Sequence, residues 1–145
     1  MPAWVEHGYT EYAKRLSGML TLELVEIEPA KRSKNQQDQQ YKTTEAQRIL
    51  AALRPNDFVV CLEVTGHMLS TEDLAARLEE WQMQGRDVAL VVGGPDGIGE
   101  AVLAKADAKI SLSKLTLPHP LVRVLLAEQL YRAHSINIGH PYHRA

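Results

Sequence analysis

Cysteine is almost absent from this sequence of 145 residues: Cys61 alone occurs, inside the apolar run DFVVCLEV. One thiol cannot close an internal disulfide, so a reducing compartment is the natural setting. No apolar stretch approaches the roughly 18 residues that a membrane span needs. The start, MPAWVEHGYTEYAKRL, lacks the basic-then-apolar order of a secretory signal. These absences predict a cytoplasmic protein with no membrane partner. CxxC, HExxH and GxSxG are missing too, which removes the commonest zinc, redox and serine-hydrolase signatures. The six histidines are scattered, and no metal is expected. Cys61 reads as a core residue.

Excess charge of one sign is also lacking, since the net charge is −2, and the surface as a whole is no polyanion trap. The distribution is uneven. Residues 31–48 carry five bases against two acids, residues 72–100 seven acids against two bases, and residues 114–145 four bases against one acid. His119, His134, His140 and His143 fall in the last of these segments. Both basic segments suit a polyanion, or are ordinary solvated charge.

What is present is a strong alternation of apolar patterns. Helical spacing covers residues 4–16, and LTLELVEI (20–27) reads as a strand. The glutamine-rich stretch 30–43 has no apolar period and reads as a loop, and TEAQRILAAL (44–53) is helical. DFVVCLEV (57–64) is a buried strand. Ser70 or Thr71 caps a helix running to about Gln84, with Gly85 closing it. DVALVV (87–92) is a strand, 98–106 a helix, KISL (109–112) a short strand and 120–134 the last helix. Apolar strands alternating with helices predict an α/β fold, a mostly parallel sheet flanked by helices, in a single domain over 1–145. The last helix is apolar around most of its circumference. It is therefore either a subunit interface, with a homodimer the commonest assembly, or the central helix of a monomer core.

Three stretches can carry chemistry. In VALVVGGPDGIGE a strand runs into paired glycines. Gly93 and Gly94 lack a Cβ, so a ligand can approach their backbone, although many such turns merely reverse the chain. In SKLTLPHP, Pro118 and Pro120 push the residues before them out of the α region, giving a stiff, extended segment. Its peptide groups are held out for a ligand, and Leu115 and Leu117 can flank a flat ring. His119 is a catalytic or substrate contact, or simply starts the helix. In GHPYHRA, Tyr142 can stack on a base and Arg144 can grip a phosphate, or the tail is frayed.

Taken together, GGPDG, LSKLTLPHPLVRVLLAEQLYRA and the ending HPYHRA resemble the RlmH family, SPOUT-class methyltransferases of large-subunit ribosomal RNA; WVEHGYTEYAKRL and KRSKN also fit. The resemblance covers nearly the whole chain. It implies a SPOUT fold with a C-terminal trefoil knot, a homodimer, S-adenosyl-L-methionine as cofactor, and methylation at N3 of a pseudouridine in 23S rRNA within the ribosome. It implies a cofactor pocket of Leu62, Gly94, Ser113, Lys114, Leu115, Thr116, Leu117 and Pro118. The catalytic and substrate-side set would be His119, Arg132, Tyr142, His143 and Arg144, the tail of one subunit meeting the cofactor of the other. His143, His119 or Tyr142 would take the imide proton, and Arg132 or Arg144 would steady the resulting charge. Family members usually begin with a further strand that this sequence does not show. The rival expectations are a non-catalytic RNA-binding dimer that keeps the fold, and an enzyme using another adenosine-containing ligand.

Overall fold

The structure, a computed structural model, describes residues 2–16, 20–31, 38–93 and 97–144. The chain forms two compact units, each assembled from separated stretches of sequence. One holds Leu24–Met68 and Arg86–Thr116, the other Met1–Glu23, Leu69–Gly85 and Leu117–Ala145.

The first unit is built on a parallel sheet. Strand β1 (Phe58–Met68) lies between β2 (Val88–Val92) and β3 (Ala108–Ser111). Phe58 to Leu62 pair in step with Val88 to Val92, and Val60 to Leu62 with Ala108 to Ile110. Helices α2 (Asp38–Ala52) and α4 (Glu100–Lys105) complete the unit. Val59, Cys61 and Val91 join Ala46, Ile98 and Val102 in one buried cluster, while Val60, which points to the opposite face of β1, is fully buried as well. Burial on both faces is what the unbroken apolar run predicts for a parallel sheet. Asp107 locks the start of the β1–β3 ladder: its carboxylate accepts from the Val59 N–H at 2.8 Å and its own N–H donates to the Val59 carbonyl at 2.7 Å.

Strand β1 then shifts register, so that both Leu62 and His67 lie opposite Ile110. Gly66 makes this possible. A Cβ there would stand 2.8 to 2.9 Å from the backbone C, N and O of Ile110, closer than real side-chain atoms approach a main chain. The strand consequently runs to Met68, four residues beyond the expected end at Val64.

The second unit is helical: α1 (Ala3–Leu16), α3 (Thr71–Met83) and α5 (His119–Ile138), followed by a 3-10 turn (Pro141–His143). Ser70, rather than Thr71, caps α3 in a reciprocal capping box with Asp73. Helix α5 starts from Pro118 and ends at Gly139, whose φ of 74° terminates it in the left-handed region. It buries Leu126, Ala127, Leu130, Ala133, His134 and Ser135. Thr71 Oγ1 donates to Gln129 Oε1 at 2.8 Å, and Asn137 Nδ2 to the Ala75 carbonyl at 3.0 Å, tying α3 to α5.

Two local expectations are corrected. LTLELVEI forms no strand; residues 20–31 carry no regular structure and Val25 is 57% exposed. A strand exists only where its peptide groups find a ladder, and none of β1, β2 and β3 pairs with this stretch. Its far end is instead held by α2: Arg48 donates to the Glu28 and Pro29 carbonyls at 2.7 and 3.0 Å, and Glu45 accepts from the Ala30 N–H at 3.0 Å. The loop expected over 30–43 is helical from Asp38 onward. Gln and Lys are good helix formers, and buried Tyr41 starts the stripe continued by Glu45, Ala46, Ile49 and Leu50. Among the described residues no helix is long and apolar enough to cross a membrane.

Candidate functional site

Leu62 is the last residue of β1 paired with both neighbours, opposite Val92 and Ile110, so it stands at the carboxyl ends of the first ladder. In open parallel sheets that end is where ligands bind. Gly94, the expected companion from the β2 turn, lies outside the described residues, as does most of KRSKN. Gly93 needs its missing Cβ for another reason than ligand approach. A Cβ there would meet the Gly97 carbonyl carbon at 2.8 Å and the Ile98 nitrogen at 2.9 Å. Gly97 and Ile98 lie against this glycine, so the space belongs to the chain.

After β3 the chain enters the proline-framed segment. Ser111 Oγ donates to the Ser113 carbonyl at 2.9 Å, and Ser113 Oγ accepts from the Leu115 N–H at 3.0 Å. These two hydroxyls fix the bend. Lys114, Leu115, Thr116 and Pro118 are exposed, Leu115 to 72%, and Leu117 is half-buried. Among the described residues the N–H groups of Lys114, Thr116 and Leu117 donate to no backbone carbonyl. A stiff exposed bend whose N–H groups meet no backbone carbonyl among the described residues is a candidate surface for a polar, flat ligand. His119 follows as the first residue of α5.

At the other end of α5 stands a second group. Arg132 Nε donates to Glu128 Oε1 at 2.8 Å, and the guanidinium lies 4.9 Å from the Tyr142 ring centroid. Tyr142 also packs against Tyr131, with centroids 4.4 Å apart. Arg15, held by Glu11 at 2.8 Å, lies over three rings, those of Tyr12, Tyr131 and Tyr142, at 5.3, 5.7 and 5.7 Å. Burial pushes the Tyr142 phenol above its ordinary value, the Glu128 charge adds to this, and Arg132 opposes it. Tyr142 is therefore a protonated donor at neutral pH.

Short-range hydrogen bonds shape the tail. His140 Nδ1 accepts from the Tyr142 N–H at 3.2 Å, and the Arg144 N–H donates to the Pro141 carbonyl at 3.0 Å. His143 Nδ1 is 2.5 Å from the His140 carbonyl, which can only accept, so this nitrogen carries the proton and Nε2 is the acceptor of the neutral ring. Arg144 is exposed.

Of the expected catalytic set, Arg132 and Tyr142 are in contact and His143 and Arg144 follow Tyr142 directly in the chain, so these four are at one end of α5. His119 is not among them. It lies thirteen positions before Arg132 on α5, a rise of roughly 20 Å. Sequence reasoning missed Arg15, Tyr12, Tyr131, Glu128 and His140. Only the Glu11–Arg15 and Glu128–Arg132 spacings of four hinted at fixed guanidiniums.

Comparison with known proteins accounts for the whole chain. The family described as "Predicted SPOUT methyltransferase" matches residues 1–143. The chain is 55% identical over 144 residues to ribosomal RNA large subunit methyltransferase H of Hahella chejuensis, covering 99% of this chain and 92% of that protein. It is 58% identical over 149 residues to the protein of the same name from Psychrobacter cryohalolentis, with coverages of 99% and 92%. The Acinetobacter baylyi protein is 51% identical over 148 residues, with coverages of 100% and 93%. With identity of this size along the full length, the chain belongs to the SPOUT methyltransferases, in the family of ribosomal RNA large subunit methyltransferase H.

Proposed function

We propose that this protein is an S-adenosyl-L-methionine-dependent methyltransferase of large-subunit ribosomal RNA, acting at N3 of a pseudouridine in 23S rRNA within the ribosome, in the cytoplasm. The full-length family match carries the reading. S-adenosyl-L-methionine supplies an activated methyl group on a sulfonium. Leu62, Gly94 and the run Ser113 to Pro118 would hold it, free peptide donors reading the adenine edge and Leu115 and Leu117 flanking its ring. The chain would be a single SPOUT domain over 1–145, with the C-terminal trefoil knot of the class.

The roughly 20 Å along α5 between His119 and Arg132 favours a homodimer. A nucleobase that must meet both the bend beside His119 and the tail beside Arg132 cannot touch both ends of one helix. A second copy, bringing its tail to the first copy's bend, removes the conflict. His119 would then contact substrate beside the cofactor of its own subunit.

N3 of pseudouridine is an imide nitrogen and must lose a proton to attack. Tyr142 keeps its own proton, so it suits hydrogen bonding and stacking better than proton removal. His143 has Nδ1–H engaged by a carbonyl, which leaves Nε2 to accept the imide proton. Arg132, fixed by Glu128, and Arg144 would steady the negative charge spread over the two flanking carbonyls.

Incubating ribosomes with methyl-labelled S-adenosyl-L-methionine and mapping the labelled nucleotide tests the reading. Label at N3 of a single pseudouridine is expected. Label on protein or on another base, or none, overturns it. Sedimentation as a single chain at working concentration overturns the dimer.

A further inference from the structure

We propose that Arg15 is a positioning residue for methyl transfer: its guanidinium is the keystone on which the C-terminal turn bearing Tyr142 and His143 is set. The inference rests on the reading above, in which that turn faces the substrate. Arg15 stands in the last turn of α1, more than a hundred residues from the tail. Its own orientation is fixed first. Nε and Nη2 both donate to Glu11 Oε1, at 3.2 and 2.8 Å, from one turn earlier on the same helix. The fixed plane then meets three aromatic rings from three different places: Tyr12 on α1, Tyr131 on α5 and Tyr142 on the 3-10 turn. Tyr142 is thereby flanked by two guanidiniums, Arg15 at 5.7 Å and Arg132 at 4.9 Å, each held by a carboxylate of its own helix.

A turn of three residues after a helix has little to hold it. Here the backbone supplies the bond from the Arg144 N–H to the Pro141 carbonyl, and His140 caps the Tyr142 N–H. Neither bond reaches the rest of the unit, and the His140 N–H, which donates to the Ser135 carbonyl at 2.8 Å, ties the start of the turn to α5 but not to α1. The Tyr142 ring does that, through Tyr131, Arg132 and Arg15. Arg15 is the member of this set contributed by α1. Its value lies in a flat, delocalised cation that can meet several ring faces, which an ammonium cannot reproduce.

The test compares Arg15→Ala and Arg15→Lys with the unaltered protein, reading amide hydrogen exchange across residues 140–144 and methyl transfer to ribosomes. Both variants are expected to exchange at Tyr142 and Arg144 at least about tenfold faster, with Leu126–Ala133 unchanged. Turnover should fall about ten- to a hundredfold, as misplacement of a reacting group does. Affinity for S-adenosyl-L-methionine should stay the same, and in a Tyr142→Ala background Arg15→Ala should add nothing further. Glu11→Gln, which keeps all three rings and the guanidinium, should give a smaller loss in the same direction. Full turnover in Arg15→Lys would show that charge alone matters and overturn the proposal. Unchanged exchange in the turn of Arg15→Ala would do so equally. Absence of transfer by the unaltered protein would instead remove the functional reading, while the exchange data still decide what Arg15 holds.

Discussion

The guanidinium of Arg132 stands 4.9 Å over the ring of Tyr142, a residue ten positions further along, beyond the end of the helix that carries Arg132. Glu128 keeps it there from one turn earlier, with side chains 28% and 16% exposed for arginine and glutamate. Glu128→Gln keeps the shape but removes the charge. We expect a stability loss of about 1 kcal/mol by thermal melting and about a tenfold drop in methyl transfer, since Arg132 is no longer aimed. Arg132→Lys should lose more activity than Glu128→Gln, because lysine cannot lie flat on the ring.

Ser113→Ala removes the acceptor that turns the Leu115 N–H inward at 3.0 Å. The bend would then sample more conformations before binding. Titration calorimetry should show S-adenosyl-L-methionine affinity weakened about fivefold, the equivalent of one lost hydrogen bond of about 1 kcal/mol. The melting temperature should barely move, since the segment is exposed.

Gly66→Ala tests the register shift. The new methyl group would press on the Ile110 backbone at 2.8 to 2.9 Å, and backbone in a paired strand has nowhere to retreat. Urea unfolding should report a loss of about 2–3 kcal/mol, the size seen on overpacking a filled interior. A loss below about 0.5 kcal/mol would mean that β1 and β3 are not in the contact described.

Cys61 predicts an alkaline limit. Burial pushes its thiol from an ordinary 9.0 up to about 11, with Glu63 adding to the rise and Lys109 opposing it. The unfolded chain therefore releases this proton at lower pH than the folded one. Below pH 9 both states keep it and this contribution to stability is fully present. Between about pH 9 and 11 it is lost progressively, by at most on the order of 3 kcal/mol. Cys61→Ala should show a shallower decline across that window in urea titrations. The native thiol should also resist a disulfide reagent that labels the unfolded chain at once.

Much of the architecture was readable residue by residue. STEDLAARLEEW contains its own cap and its own buried stripe, and the helix it predicts is the helix found, from Thr71 to Met83. DFVVCLEV and DVALVV carry unbroken apolar runs, and both are strands of a parallel sheet, with Val59, Val60, Cys61 and Val91 buried. The motif set at the end of the chain was specific enough to imply the family, because its residues lie close together in sequence. LTLELVEI shows the opposite case. Its alternation is as good as that of any strand, yet it forms none, because a ladder depends on a neighbour that the segment itself does not contain.

The candidate site divides along the same line. Composition, apolar period, caps and the proline-framed bend are properties of neighbours in the chain, and the sequence by itself determined them. The meeting of Arg15 with Tyr142, the backbone of Ile110 under Gly66, and the distance along α5 that separates His119 from Arg132 were decided only by tertiary structure. Local interactions depend on which residues stand a few positions apart. Contacts across a hundred residues depend on how whole helices and strands settle against each other, and no short stretch of sequence records that.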